Sequence, residues 1–428
     1  MAALLLYHIM HVKTHSRNTG RIRAGLLFSG GCLLGAPASY AQLNTTSYLS
    51  GGTASDNTVN VAEHSAVVGI SASTIAVADN ESNTLRMYAI SPPPAGTAPV
   101  ASSLGLNTFL NLTEARSGGR IREADLEGST RLHGTNLVAW TASHSRSNDA
   151  VPLWRGNRHR ILGTNISGNT LDLTGVSYYG FAGTDPAGGS TANYTPPAGA
   201  APTFLNLMIS WDTANLNPLQ FSTHPRHRQI NVEGLADKVV AGAGPDSLVL
   251  AGAYFGLRAP TTVATSGITA NHAIVFEVSN ILNAVTTGAA PVIARVIVFD
   301  LGGRGIRSME RVGRDYLINA GDVLQTDPFI PFRLYKWNGA ATPIGSTGVW
   351  QADAPVDLNA SYASAAVPSS FTPEGLCVFP AGSGVANDGS LLVVSDDSAG
   401  PGRLFRPSMD TLVKMDNVRK IPVSGGGR

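Results

Sequence analysis

The chain has 428 residues, 47 of them glycine and 25 proline, with a formal net charge of +1. Only 14% of residues are charged and lysine is scarce, 5 against 25 arginines, which excludes a polybasic nucleic-acid binder. The apolar fraction of 43% suffices for a packed core, and no apolar run reaches the roughly 18–20 residues of a membrane span.

The chain opens with targeting features. Arg21-Ile-Arg23 precedes the apolar stretch from Ala24 to Leu34, and Ala36-Pro-Ala-Ser-Tyr-Ala41 follows. A basic region, a short apolar region and small residues at Ser39 and Ala41 read as a secretory signal cleaved after Ala41. Residues 1–41 are therefore expected to be a signal peptide. Residues 42–428 are expected to form one domain, periplasmic or secreted, and a monomer. Cleavage leaves Cys377 as the only cysteine, so no disulfide framework and no cysteine-based zinc site is available.

Beyond the leader, short β-rich runs alternate with Gly, Asn, Asp and Pro turns, which favours an all-β fold. One unit recurs: a first strand, often opening on Glu-Gly, a turn, and a very apolar second strand ending in polar residues. A third strand follows and sometimes a fourth. The first copy covers Glu63–Ile70, Thr74–Asp79 and Thr84–Tyr88. The second has Glu127–Leu132 and Asn136–Trp140. A short helix is expected over Thr203 to Trp211, inside a Gly/Pro/Ala-rich segment near 180–229 that is either an insertion or a degenerate sixth blade. The third copy has Val232–Ala236, Ser247–Tyr254, Ala273–Val278 and Ala294–Leu301. The fourth has Gly305–Ser308, Tyr316–Asp322 and Phe332–Trp337, and the fifth has Pro373–Cys377, Ser390–Asp397 and Arg403–Phe405. Such a repeated antiparallel unit marks a β-propeller, here with five clear four-stranded blades and room for six or seven.

In a propeller the first strand of each blade lines the central channel, and the second runs back beside it. First-strand starts and second-strand ends then share one channel mouth. Two polar rings are expected there. The first holds Glu63, Glu127, Glu233 and Glu374, with Arg307 at the equivalent place in the fourth copy. The second holds Asp79, Asn80, Glu81, His144, Arg146, Arg258, Asp322, Asp396 and Asp397. Carboxylates this close cannot all stay ionised without a cation. Arg146, Arg258, Arg304 and Arg307 could supply it, or a metal could. An oxygen-rich set without thiolates suits Ca²⁺ or Mg²⁺, with Glu127, Glu233, Glu374 and Asp396 as ligands. Three readings stay open: Arg–Glu pairs that stitch the blades, a ligand or metal site, and catalysis.

A family likeness rests on strings that occur in order: Ala78 to Tyr88, Ser143-His-Ser-Arg-Ser147, Val232-Glu-Gly-Leu-Ala236, Gly256-Leu-Arg-Ala-Pro260, Leu301-Gly-Gly-Arg-Gly-Ile-Arg-Ser308, Phe332 to Gly339 and Pro373-Glu-Gly-Leu376. Together they resemble a bacterial exported family known as domain of unknown function 3616, over roughly residues 60–405. That family is similar in pattern to phytase-like and esterase-like propellers, and more distantly to lactonase and gluconolactonase propellers. The resemblance implies a site at the channel mouth, often with Ca²⁺. One expected function is thus a metal-assisted hydrolase of phosphoesters, esters or lactones. Arg146, Arg258, Arg304 and Arg307 would hold a small anionic substrate, and His144 or one of Glu127, Glu233 and Glu374 would act in catalysis. The alternative is a non-catalytic propeller that binds a ligand or a protein on the same face.

Overall fold

The structure, a computed structural model, describes residues 43–48, 64–71, 74–79, 82–89, 101–115, 118–145, 155–173, 178–179, 203–215, 218–219, 231–244, 247–261, 268, 271–321, 332–361, 372–378, 391–396 and 403–407. The expected signal peptide, Glu63, Asn80, Glu81, Arg146, Asp322 and Asp397 lie outside these residues, as does the side chain of Asp396. No helix among the described residues is long and apolar enough to cross a membrane.

The first described strand is β1 (Leu43–Tyr48). β2 (His64–Gly69), β3 (Thr74–Asp79), β4 (Thr84–Ala89) and β5 (Ala101–Gly105) pair in order as an antiparallel sheet. The second sheet has β6 (Leu126–Arg131), β7 (Leu137–Ala142) and β8 (Arg160–Ser167), with β9 (Thr170–Leu173) and β10 (Tyr178–Tyr179) both on β8. Helix α1 (Phe204–Ala214) follows. The third sheet starts with β11 (Val232–Ala241), β12 (Leu248–Leu257) and β13 (Ala273–Val278), then α2 (Ile281–Thr287) and β14 (Ile293–Phe299). β15 (Gly305–Val312), β16 (Asp315–Gly321) and β17 (Arg333–Trp337) open the fourth. β18 (Ala341–Pro343) and β19 (Val349–Ala352) leave it, and β20 (Val356–Ser361) completes it. The last sheet is β21 (Thr372–Val378), β22 (Leu391–Asp396) and β23 (Arg403–Pro407), and its outer strand is β1.

The first, fourth and fifth sheets are four-stranded and antiparallel as expected. The other two correct the expectation of five such units: the second carries β9 as a fifth strand on β8, and the third has six strands. Its extra pair, β18 and β19, is borrowed from the stretch between β17 and β20, and β19 lies parallel on β14. The physical reason is an edge to cover. Gln351 donates to Val298 O at 3.2 Å, and the Arg295 guanidinium lies 4.5 Å from the Trp350 ring centre.

The first strands β2, β6, β11, β15 and β21 touch one another in turn, and β21 touches β2, so they close a circle. The core lies between neighbouring sheets. One cluster joins the first and second sheets, one the second and third, one the third and fourth, and one the fifth and first. Inner strands are therefore covered on both faces, and β2 and β3 are buried along their whole length, which explains the unbroken apolar runs in the sequence. Cys377 is fully buried in β21 beside Val67 and Val394.

The expected short helix is α1. Thr203 caps it, its hydroxyl accepting from the Asn206 amide at 3.0 Å. Phe204, Leu205 and Met208 enter the core between the second and third sheets. The Phe204 ring stands 5.1 Å from Phe255 and 5.2 Å from His144, centre to centre.

Candidate channel-mouth site

Each first strand has a break near its start in its ladder with the second strand, and the β11–β12 ladder has a second one between Lys238 and Val239. The breaks near the start fall between His64 and Ala66, Leu126 and Gly128, Val232 and Gly234, Ile306 and Ser308, and Pro373 and Gly375. The residue bulged out of register is thus Ser65, Glu127, Glu233, Arg307 or Glu374. A bulge re-aims its side chain and ends local pairing. Because the five strands form a closed circle, their five bulges form a ring, and all five residues are buried.

This ring corrects one member of the expected set. The first-copy position is Ser65, two residues beyond Glu63. Ser65 Oγ donates to Leu126 O of the next sheet, so this member binds backbone and carries no charge.

The residue after each bulge is Ala66, Gly128, Gly234, Ser308 or Gly375, and the reason is close approach of the neighbouring sheet. A Cβ on Gly234 would lie 2.7 Å from Ile306 Cγ2, and one on Gly375 would lie 2.9 Å from Val67 Cγ1. One on Gly128 would lie 2.9 Å from Leu235 Cβ. The Glu-Gly repeat therefore encodes two things at once: a group for the channel and a gap for the next blade.

Arg307 is the ring's cation. Its Nε lies 3.0 Å from Glu233 Oε2, and Nη2 is paired with Glu374, so it bridges the two neighbours on either side. The Phe332 ring centre lies 5.9 Å from the Arg307 guanidinium carbon. Glu233 has further donors: Arg258 Nη1 at 3.0 Å and Asn231 Nδ2 at 2.9 Å, both to Oε1. Toward the second sheet, Arg158 pairs with Glu123 and Asp125, each at 3.0 Å, and Ser143 Oγ donates to Asp125 at 2.5 Å.

Glu127 differs. It is only 6% exposed, yet no hydrogen bond or ion pair reaches it among the described residues. Burial first, then the charges of Asp125 and Glu233, hold its carboxyl well above the usual carboxylate range, against the pull of Arg307 and Arg258.

The remaining expected residues divide. Arg258 joins the ring through Glu233. Arg304 does so through none of its identified bonds: Nη1 donates to the carbonyls of Leu301 and Gly302 and to the Tyr335 hydroxyl. It braces the turn into β15, where Gly302 and Gly303 take φ of 63° and 79°. Asp79 lies opposite His64 at the strand end as expected, but pairs with Arg86 at 3.5 Å. His144 is expected at the mouth and is instead turned away from it. Its backbone takes φ of 54°, and its ring enters the core against Phe204 and 5.6 Å from His159. Burial, then the Arg160 charge, lowers the His144 pKa to about 3, so this ring is neutral.

Of the expected calcium set, the side chain of Asp396 lies outside the described residues. Among the described residues, no three His, Cys, Asp or Glu side chains are gathered so as to hold a metal ion. Arg307 stands between Glu233 and Glu374 and is ion-paired with both.

Residues 253–410 match the family described as protein of unknown function (DUF3616). The match begins inside β12 and leaves the first two sheets outside it. No curated protein matches the chain. Among solved structures, the chain is similar to the PQQ-bound aldose sugar dehydrogenase of Streptomyces coelicolor, at 13% identity over 87% of this chain and 99% of that one, with a TM-score of 0.30. It is similar to the β-propeller domain of Myceliophteria thermophila Cps50 (Swd1), at 9% identity over 85% and 99%, with a TM-score of 0.29. A thermostable family-43 glycoside hydrolase shares 10% identity over 84% and 91%, with a TM-score of 0.35. At these scores none of them bears on what this chain does.

Proposed function

We propose that this chain is an exported β-propeller that binds a small molecule at the channel mouth and does not turn it over. Export rests on the segment ending at Ala41. The observation that carries the binding reading is Arg307 bridging Glu233 and Glu374. Those carboxylates are already compensated by a guanidinium, so they stitch the third, fourth and fifth sheets. Hydrolysis assisted by Ca²⁺ would require both glutamates to leave Arg307, exposing a buried cation to a large desolvation cost.

The test uses mature protein purified after export. It is incubated with p-nitrophenyl phosphate, p-nitrophenyl esters and a lactone, with and without Ca²⁺. In parallel its melting temperature is followed across a panel of small amines, carboxylates and sugars. The expected result is no turnover, and a rise in melting temperature with at least one panel member. Calcium-dependent turnover abolished by Glu233→Gln would overturn this reading in favour of the hydrolase.

A further inference from the structure

We infer that the mouth takes a small organic cation, an ammonium or guanidinium group, with Glu127 as its counter-charge. This rests on the binding reading and names its ligand class.

The argument starts from the ring. Its five bulge positions hold three carboxyl groups, one guanidinium and one hydroxyl. Arg307 serves Glu233 and Glu374, and Ser65 serves a backbone carbonyl. Glu127 stands between Ser65 and Glu233 and is left over. Five charged groups face it from the elements around it: the acids Asp125 and Glu233, and the cations Arg307, Arg258 and Arg158. Each of those cations is already ion-paired with a carboxylate other than Glu127. An incoming anion would have to compete with those carboxylates for its arginine. An incoming cation meets a carboxyl that no described residue pairs.

The neighbouring pairs also select among cations. A divalent metal asks for several oxygen ligands at once, and Glu233, Asp125 and Glu374 are held by arginines. One carboxyl with tied neighbours suits a single N–H donor group carrying one charge. In the free protein burial and two nearby acids favour the protonated form of Glu127, against the pull of Arg307 and Arg258. The entering ammonium brings its own charge, the Glu127 proton passes to solvent, and the carboxylate–ammonium pair forms. Affinity must then rise with pH, by about tenfold per unit, as long as Glu127 is protonated in the free protein.

The experiment is calorimetry of the mature protein with n-butylammonium, n-butylguanidinium and benzylammonium as probes. Butyrate and glucose serve as the matched anion and neutral controls. Titrations run at pH 6 and pH 8 in two buffers of different ionisation enthalpy. The expected result is a cation bound up to about 100-fold more tightly at pH 8, with close to one proton released per ligand at pH 6. Glu127→Gln is expected to weaken binding at least about tenfold and to abolish the pH dependence. Glu127→Asp, which keeps the charge but draws it back, should bind weakly and still release a proton. Binding of butyrate or glucose with all three cations silent would overturn this inference and leave the binding reading standing. Silence of all five probes, together with no response in the wider ligand panel, would overturn both.

Discussion

Two sides of one ring behave differently. On the side of the third, fourth and fifth sheets, Arg307 is clasped by Glu233 and Glu374, and Arg258 reinforces Glu233. On the side of the first and second sheets, Ser65 is tied to backbone, and Glu127 is buried without a hydrogen-bond or ion-pair partner among the described residues. The backbone device is the same on both sides, a single bulge at the start of each first strand. Only the side chain placed there differs. The comparison teaches that a repeat can build a stabilising clamp and a binding position from one geometry, according to whether neighbouring bulges carry opposite charges.

The largest expected effect breaks the clamp. Arg307→Ala leaves Glu233 and Glu374 buried with one compensating cation fewer, and should cost about 3–5 kcal/mol in urea unfolding. A loss under about 1 kcal/mol would mean that the clasp is not a clamp.

Acid should act next, and behind the Glu127 side. His144 and His159 are buried in the neutral form, both with pKa values lowered first by desolvation. A lowered histidine pKa means that the unfolded chain takes up protons first. The stability they allow is therefore present above about pH 6.5 and is lost as pH falls below it, for His144 down to about 3. Each can remove up to about 1.4 kcal/mol per pH unit within that window. Unfolding curves at pH 7, 6 and 5 check this, and His144→Asn should flatten the slope. Unchanged slopes would contradict the buried placement.

A smaller effect separates the bulge from the gap behind it. Gly234→Ala keeps Glu233 in place but sets a methyl 2.7 Å from Ile306 Cγ2. It should cost about 1–3 kcal/mol through overpacking between the third and fourth sheets. At Gly105, where no atom lies within 4 Å, the same substitution should leave stability within about 0.5 kcal/mol.

Much of this was legible in the sequence. Inner strands are covered on both faces, so they read as continuous apolar runs, and β3, β12 and β13 fall close to where those runs predict. Glu127, Glu233, Arg307 and Glu374 align because each opens a first strand, usually before a small residue. The bulges were not legible, since they exist only in the register between two strands. That is why the first copy misaligns: Ser65-Ala66 lacks the Glu-Gly signature, and the nearby Glu63 stands in for it. His144 was misplaced because its direction depends on a left-handed backbone that no periodicity reveals. The polar run of β8 and the seven residues of α2 gave no strong period to read. The borrowed pair β18 and β19 depends on which sheet edge needs cover, and sequence order points elsewhere.

The central claim is that Glu374 is paired and Glu127 is not. It is tested most directly by urea unfolding of Glu374→Gln and Glu127→Gln beside the wild type at pH 7.5. The raised pKa of Glu127 means that the unfolded chain gives up this proton before the folded protein does, so the carboxyl costs stability as pH rises above the usual carboxylate range, and Glu127→Gln should be neutral or stabilising at pH 7.5. Glu374→Gln removes a partner of buried Arg307 and should destabilise by about 2–4 kcal/mol. Equal losses in the two variants, or a larger loss in Glu127→Gln, would contradict the account.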